Sequence, residues 1–198
     1  MPIAINGSGT ITGVSVGGLP DGIVDTDMLA AAAVTGPKKG TGSVLQVVHT
    51  SSNTHFTSNS TSFVDVTGMS AAITPSSSSN KILIVCSLAI SKLDNHSMLG
   101  KIVKDGSDIS GAGGVAEGGH GSQLSGVWWT MRGFGHSANL HTAQYMDTAG
   151  STSSITYKVQ GRTSASSQNF YINYTLYGEN NSYASPSSSG LTLYEIAA

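Results

Sequence analysis

The chain has 198 residues and a net charge of −2, and only 10% of its residues are charged, against about 25% in ordinary globular proteins. Nucleic-acid binding needs clustered Lys and Arg, and the only basic pair is Lys38–Lys39, so that class of partner is excluded. The longest apolar run, Ile82–Ile90, is too short to span a bilayer, and we expect no signal peptide and no membrane insertion.

Residues 1–43 predict a docking arm, because they contain too little apolar surface to form a core of their own. A Gly-rich extended run, Asn6–Gly18, leads to a turn at Leu19–Gly22. One short helix is expected at about residues 25–35, and it is too short to be stable alone. The apolar residues that can dock it against another chain are Val24, Met28 and Leu29.

From residue 44 to residue 198, strand and turn signals alternate at the spacing of an all-β antiparallel sandwich of jelly-roll-like type. The expected strands are 44–50, 62–66, 69–74, 81–91, 98–104, 127–134, 140–146, 155–162, 170–176 and 191–198. The segment 81–91 is apolar on both faces and contains the only cysteine, Cys86, so it predicts a central strand covered on both sides. Residues 107–126 are rich in Gly and predict a long surface loop with room for one short strand.

No group of residues predicts catalysis or a cofactor. The six histidines lack the close spacings of metal ligands, and the acidic residues are scattered. The glycine clusters at 111–114 and 118–121 have neither the lysine nor the following helix of a phosphate loop. We therefore expect no enzyme, no cofactor and no metal within one chain, while a metal site between chains stays open. The sequon Asn173–Thr175 lies in a predicted strand and is interpreted as incidental.

The pair Trp128–Trp129 is the best candidate for recognition. Neighbouring side chains of a strand face opposite ways, so Trp129 shares a face with Val127 and Met131 and is expected in the core. Trp128 then shares the outer face with Arg132, and the two form the candidate interface or recognition site. Subunit packing is the favoured role, ahead of plain surface packing and of stacking on a sugar ring.

A resemblance to virion structural proteins of tailed bacteriophages, especially phages of marine bacteria and cyanobacteria, extends over most of the chain. It is carried by GSGTITGVSVGGLPDGIVDTDMLAAAAV, VLQVVHT, SFVDVTGMSAAITPSSSSNKILIVCSLAIS, KDG, ITYKVQGRT and LTLYEIAA, and it is weakest over 107–147. The resemblance implies a tail-fibre-like β-sandwich protein of the virion with no catalytic motif. Fibres of this class are built on a threefold axis, so it also implies a homotrimer.

Three functions remain open from the sequence. The leading one is a tail fibre or fibre-like appendage that docks to other virion proteins through residues 1–43. The first alternative is a capsid decoration or head-fibre protein with the same body plan. The second is a carbohydrate-binding module that recognises a glycan on the host surface.

Overall fold

The computed structural model describes residues 4–5, 11–12, 40–110, 112, 129–174 and 187–198, and within these the side chains of 4–5, 11–12, 92–96 and 129–137 are left aside. The chain divides into two units, residues 1–39 and 40–198. The described regular elements are all β-strands, which confirms the predicted all-β antiparallel sandwich. None of the described segments is a helix long and apolar enough to cross a membrane. The predicted helix at 25–35 lies outside the described residues, and the predicted boundary after residue 43 stays a prediction.

In the first unit, strands β1 (Ala4–Ile5) and β2 (Ile11–Thr12) pair antiparallel, with Ala4 opposite Thr12. The predicted extended run from Asn6 to Gly18 is described only at Ile11–Thr12, which is a strand, and the predicted arm stays a prediction.

The described residues of the second unit form nine strands. In chain order they are β3 (Val44–Ser52), β4 (Phe56–Ser58), β5 (Val64–Ile73), β6 (Lys81–Lys104), β7 (Ser107–Asp108), β8 (Trp129–Thr148), β9 (Ile155–Thr163), β10 (Phe170–Ile172) and β11 (Ser189–Ile196). The short strand β7 falls at the start of the predicted 107–126 loop, most of which lies outside the described residues.

The strands form two layers that share their longest members. Sheet A has the order β3–β11–β6–β8 and uses the first part of β6, where residues 81–87 lie between β11 and β8. Sheet B contains β5, β9 and the last part of β6, where residues 98–104 pair with β9. The short strands β10 and β4 extend from the middle of β6, beginning at residues 90–92.

Strands β6 and β8 each pass from one layer to the other. The sequence predicts two separate strands in each of these regions, and the structure corrects this to one long strand each. The β6–β8 register shifts between Ile90 and Ser97, which is where β6 leaves sheet A. Strands that turn a corner between layers do so through such irregularities, because a bulge bends the chain without ending its pairing.

Strand β5 also replaces two predicted strands. The sequence places a turn at Thr67–Gly68, but the chain continues through a bulge between Asp65 and Ser70. Gly68 has a φ of +81° there, a conformation that glycine adopts at little cost. Gly68 therefore does mark a change in the backbone, but the change is a bulge within one strand and not a turn between two strands.

The core lies between the two layers and follows the period of two. Sheet A contributes Ile82, Ile84, Cys86, Leu191 and Leu193, and sheet B contributes Met69, Ile73, Ile155, Tyr157 and Val159. The ring of Phe170, from β10, is completely buried among them. Cys86 is a small core residue, and its burial raises the pKa of the thiol.

Candidate interaction surfaces

The predicted site residues fall largely outside the described part of the chain. Val24, Met28, Leu29 and Trp128 are not among the described residues, so their roles stay predictions. The backbone of Arg132 lies in β8 opposite Ser97 of β6, and its side chain is not described. The predicted pairing of Trp128 with Arg132 on one face therefore also stays a prediction.

The outer face of sheet A, the side away from the core, carries a row of apolar side chains across its four strands. Tyr194 of β11 lies opposite both Val47 of β3 and Leu83 of β6, and Leu83 lies opposite Met146 of β8. Directly opposite residues share a face, so these four side chains form one row. Val47 is 53% exposed and Met146 is 48% exposed, which is high for large apolar side chains on a sheet.

Three pairs of polar side chains on the same face are hydrogen-bonded across the strands, while Gln144, opposite Val85, is exposed. The pairs are His49 Nδ1 with Thr192 Oγ1 at 2.8 Å, Ser87 Oγ with Thr142 Oγ1 at 2.9 Å, and Lys81 Nζ donating to Thr148 Oγ1 at 2.8 Å. Among the described residues of β3, β6, β8 and β11 that lie on this face, Lys81 is the one with a charged side chain. The face is therefore nearly neutral.

The outer face of sheet B is charged by contrast. Asp65 accepts a hydrogen bond from Gln160 at 2.7 Å and an ion-paired hydrogen bond from Lys158 at 3.0 Å. The bonds from Gln160 and Lys158 hold the pKa of the Asp65 carboxyl below its usual value. A shallow cleft of about 280 Å³ opens beside the bulge at residues 65–70, and Asp65 and Lys158 line it. Because both carboxylate oxygens are already bonded, the arrangement suits a structural role.

A second charged group surrounds Phe63, just before β5. The ammonium of Lys101 lies 4.4 Å from the centre of its ring, and the guanidinium of Arg162 lies 5.3 Å from it. Lys101 also donates to Asp108 at 2.6 Å. Cations over an aromatic ring are attracted to its negative face, so this group stabilises the loop ahead of β5.

Aromatic rings cluster where β4 and β10 meet. The rings of His55 and Tyr174 have centroids 4.7 Å apart, and those of Tyr171 and Tyr174 are 5.7 Å apart. His55 is exposed and the two tyrosines are half-buried. Sequence reasoning missed this group, because nothing local indicates that the residue before β4 meets the residues at the end of β10.

Asn173 follows β10 with a φ of +59° and is almost completely buried. Its amide donates to the carbonyl oxygens of Ser52 at 2.8 Å and Thr54 at 3.2 Å, and its oxygen accepts from Ser189 Oγ at 2.6 Å. An amide that is buried and fully bonded cannot carry a glycan in the folded chain. The sequon at this position is therefore incidental, as the sequence predicts.

The described residues contain no group of three or more His, Cys, Asp or Glu side chains placed to hold a metal ion. His141 Nε2 and Ser187 Oγ are buried without a hydrogen-bond partner. They are single atoms and do not form a constellation with acid–base or metal-binding geometry.

No known protein-family model matches the chain, and no curated protein matches it. Among solved structures, it is similar to the crystal structure of the infectious bursal disease virus VP2 subviral particle, with 14% sequence identity and a TM-score of 0.34. The similarity covers 77% of this chain and 37% of that chain, so this chain spans little more than a third of the length of the VP2 chain. A TM-score this low carries no information about function.

Proposed function

We propose that the chain is a structural component of a phage virion: a tail fibre or fibre-like appendage, trimeric, with the part of the predicted arm before Gly40 docking to another virion protein. The proposal comes from the resemblance of its segments to virion structural proteins. It is supported by a sandwich with a nearly neutral apolar outer face, which suits an assembly protein. Consistent with a structural role, we expect no catalytic activity.

The single structural observation that favours a docking arm is the way the second unit closes on itself. Gly42 donates its backbone N–H to the carbonyl of Ala197, and Ala197 donates its own to Ser43 at 2.9 Å. The beginning of the sandwich is thus hydrogen-bonded to its end, and the unit starts at Gly40. A sandwich closed in this way needs no residue before Gly40 to complete its described strand pairing, so residues 1–39 can serve another contact.

Deletion of residues 1–36 tests the proposal. We expect the shortened chain to keep its β-type circular dichroism and a cooperative melt, and to be missing from assembled particles. The full chain with Gly40→Ala is the matched control, since nothing lies within 4 Å of a Cβ at that position. If the shortened chain loses its cooperative melt, or if it still joins the particle, the arm does not have the proposed role.

A glycan-binding role is the second candidate, and the His55–Tyr171–Tyr174 cluster favours it. Aromatic rings that are partly exposed beside polar groups can stack on the apolar faces of sugars, and in this cluster His55 is exposed while the two tyrosines are half-buried. Under this alternative the full chain binds immobilised host polysaccharide, and Tyr174→Ala reduces that binding at least tenfold without lowering the melting temperature by more than a few degrees. Failure of the full chain to bind would remove this candidate and leave the structural role untouched.

A further inference from the structure

We infer that the outer face of sheet A, centred on Val47, Tyr194, Leu83 and Met146, is the surface through which copies of this chain associate. The inference deepens the proposed assembly role and rests on it for the partner, a second copy of the chain. It names a surface different from the Trp128–Arg132 site that the sequence favours.

The first part of β6 is apolar on both of its faces. A strand of this kind is typical of positions covered on both sides. Within the described residues Ile82 and Ile84 are buried in the core, but Leu83 and Val85 on the other face are only half-buried. The composition of β6 is thus that of a strand buried on both faces, and a second copy would bury the face that is only half-buried in one chain.

Burying the outer face of sheet A costs little free energy. Taking an unpaired polar group out of water is unfavourable, and a charged group costs more. The His49–Thr192 and Ser87–Thr142 pairs are already hydrogen-bonded across the strands, and Gln144, which lies opposite Val85 and is exposed, would need a partner in the contact. Lys81 lies at the edge of the apolar row, where its ammonium can stay in water.

A second copy can meet the outer face of sheet A without charge repulsion, which is not so for the outer face of sheet B. Two identical faces repel when each carries the same net charge, and the outer face of sheet A is nearly free of charge. The outer face of sheet B presents the ion pairs Lys158–Asp65 and Lys101–Asp108, and taking these charges out of water against a copy would carry a desolvation cost that the face of sheet A avoids. Self-association is therefore expected through sheet A.

The size of the face indicates how tight this association is. The face is four strands wide, at ~4.8 Å per strand, and seven residues long, at ~3.4 Å per residue, which gives an area of about 450 Å². A standard interface buries about 800 Å² on each partner, so the contact belongs to the small class. We therefore expect an oligomer that dissociates on dilution in free solution. On a particle, several contacts per copy would hold the same oligomer together.

The test uses the full chain with Val47→Lys and Met146→Lys together. Both side chains are about half exposed, so the single chain should keep its fold, while two lysines on each copy would repel in the contact. Light scattering over a hundredfold range of concentration should show wild-type mass rising well above 20.2 kDa, and the variant staying at 20.2 kDa. The matched control is Ala72→Lys, an exposed strand position on the outer face of sheet B, which should associate like wild type.

Oxidation of methionine in the wild-type chain provides a second readout that does not depend on any variant folding. Met146 should be oxidised rapidly when dilute and at least several-fold more slowly when concentrated, while the buried Met69 and Met98 stay slow throughout. A Met146 that is slow at every concentration would mean that the chain covers this face itself, and one that is fast at every concentration would mean that nothing covers it. Either result overturns the inference, as does a double variant that associates like wild type. None of these results bears on whether the chain that lacks residues 1–36 joins the particle.

Discussion

The side-chain amide of Asn80 donates a hydrogen bond to Oε1 of Glu195 at 2.5 Å, across 115 residues of sequence. Glu195 is 1% exposed, and Ser76 and Gln46 donate to the same carboxylate at 2.6–2.7 Å. The hydrogen bond therefore links β11 to the loop that precedes β6. A buried carboxylate without a cation persists because these donors satisfy it.

Glu195 should make folding sensitive to acid. Burial raises the pKa of its carboxyl, but the hydrogen bonds from Asn80, Gln46 and Ser76 outweigh that effect, and the pKa lies below its ordinary value. A lowered folded-state pKa means that the stabilisation is present above the unfolded pKa of about 4.3 and is lost as pH falls through the folded value. Urea denaturation of Glu195→Gln should show a loss of about 1–3 kcal/mol at neutral pH and a flatter acid limb than wild type.

The exposed ion pair of Asp65 gives the matched control for this experiment. Asp65→Asn should change the free energy of unfolding by less than about 1 kcal/mol, and the effect should shrink with added salt. Equal losses of stability on acidification for wild type and Glu195→Gln would show that the buried carboxylate is not responsible for the acid sensitivity.

Gly161→Ala should destabilise the sandwich by about 1–3 kcal/mol, the usual cost of overpacking a core. A Cβ at this position would come within 2.9 Å of Phe170 Cζ and of Met98 Cε, and the Phe170 ring has no exposed surface. Thermal and urea unfolding measure the effect, with Gly40→Ala as the control that meets no neighbour. If the two alanine variants unfold alike, the ring does not limit the space at Gly161.

Cys86 should be inert in the native chain. It has no exposed surface, and burial raises its pKa, so the reactive thiolate is scarce at neutral pH. A chromogenic thiol reagent should therefore label one cysteine per chain only after a denaturant is added. Labelling of the native protein at the rate of a free thiol would contradict the placement of Cys86 in the core.

Trp128 and Trp129 remain the subjects of a sequence-based prediction. Trp129→Ala should cost about 3–5 kcal/mol as a cavity in a core, and Trp128→Ala should leave the melting temperature nearly unchanged while it weakens association or host binding. Melting temperatures and solution masses of the two variants decide the assignment. Equal losses of melting temperature with association intact would remove Trp128 from the interface.

The local sequence predicts correctly those strands that keep the same neighbouring strands along their whole length. Strand β9 alternates between buried and half-buried at every position, and its predicted range of 155–162 differs from the observed one by one residue. The strand after Phe170 was expected to continue to residue 176, but it ends at Ile172. Asn173 takes a positive φ because its buried amide bonds to Ser52 and Thr54, and these partners lie more than a hundred residues away.

Long-range pairing also explains why β6 and β8 were each predicted as two strands. Whether polar and glycine residues end a strand or only bend it depends on which neighbours are present on both sides, and these come from distant parts of the chain. The candidate surface illustrates the same limit. Leu83 marks β6 as apolar on both faces, but only the register with Tyr194 and Met146 shows that the outer face forms one row.

The position of the chain on the virion tests the central claim most directly. A peptide tag after Ala198, which is exposed, can be labelled with gold on purified particles and located by electron microscopy. The proposed function predicts label at the periphery of the tail, and loss of that label when residues 1–36 are deleted. Label spread over the head lattice would identify a decoration protein instead, and particles without label would contradict a structural role in the virion.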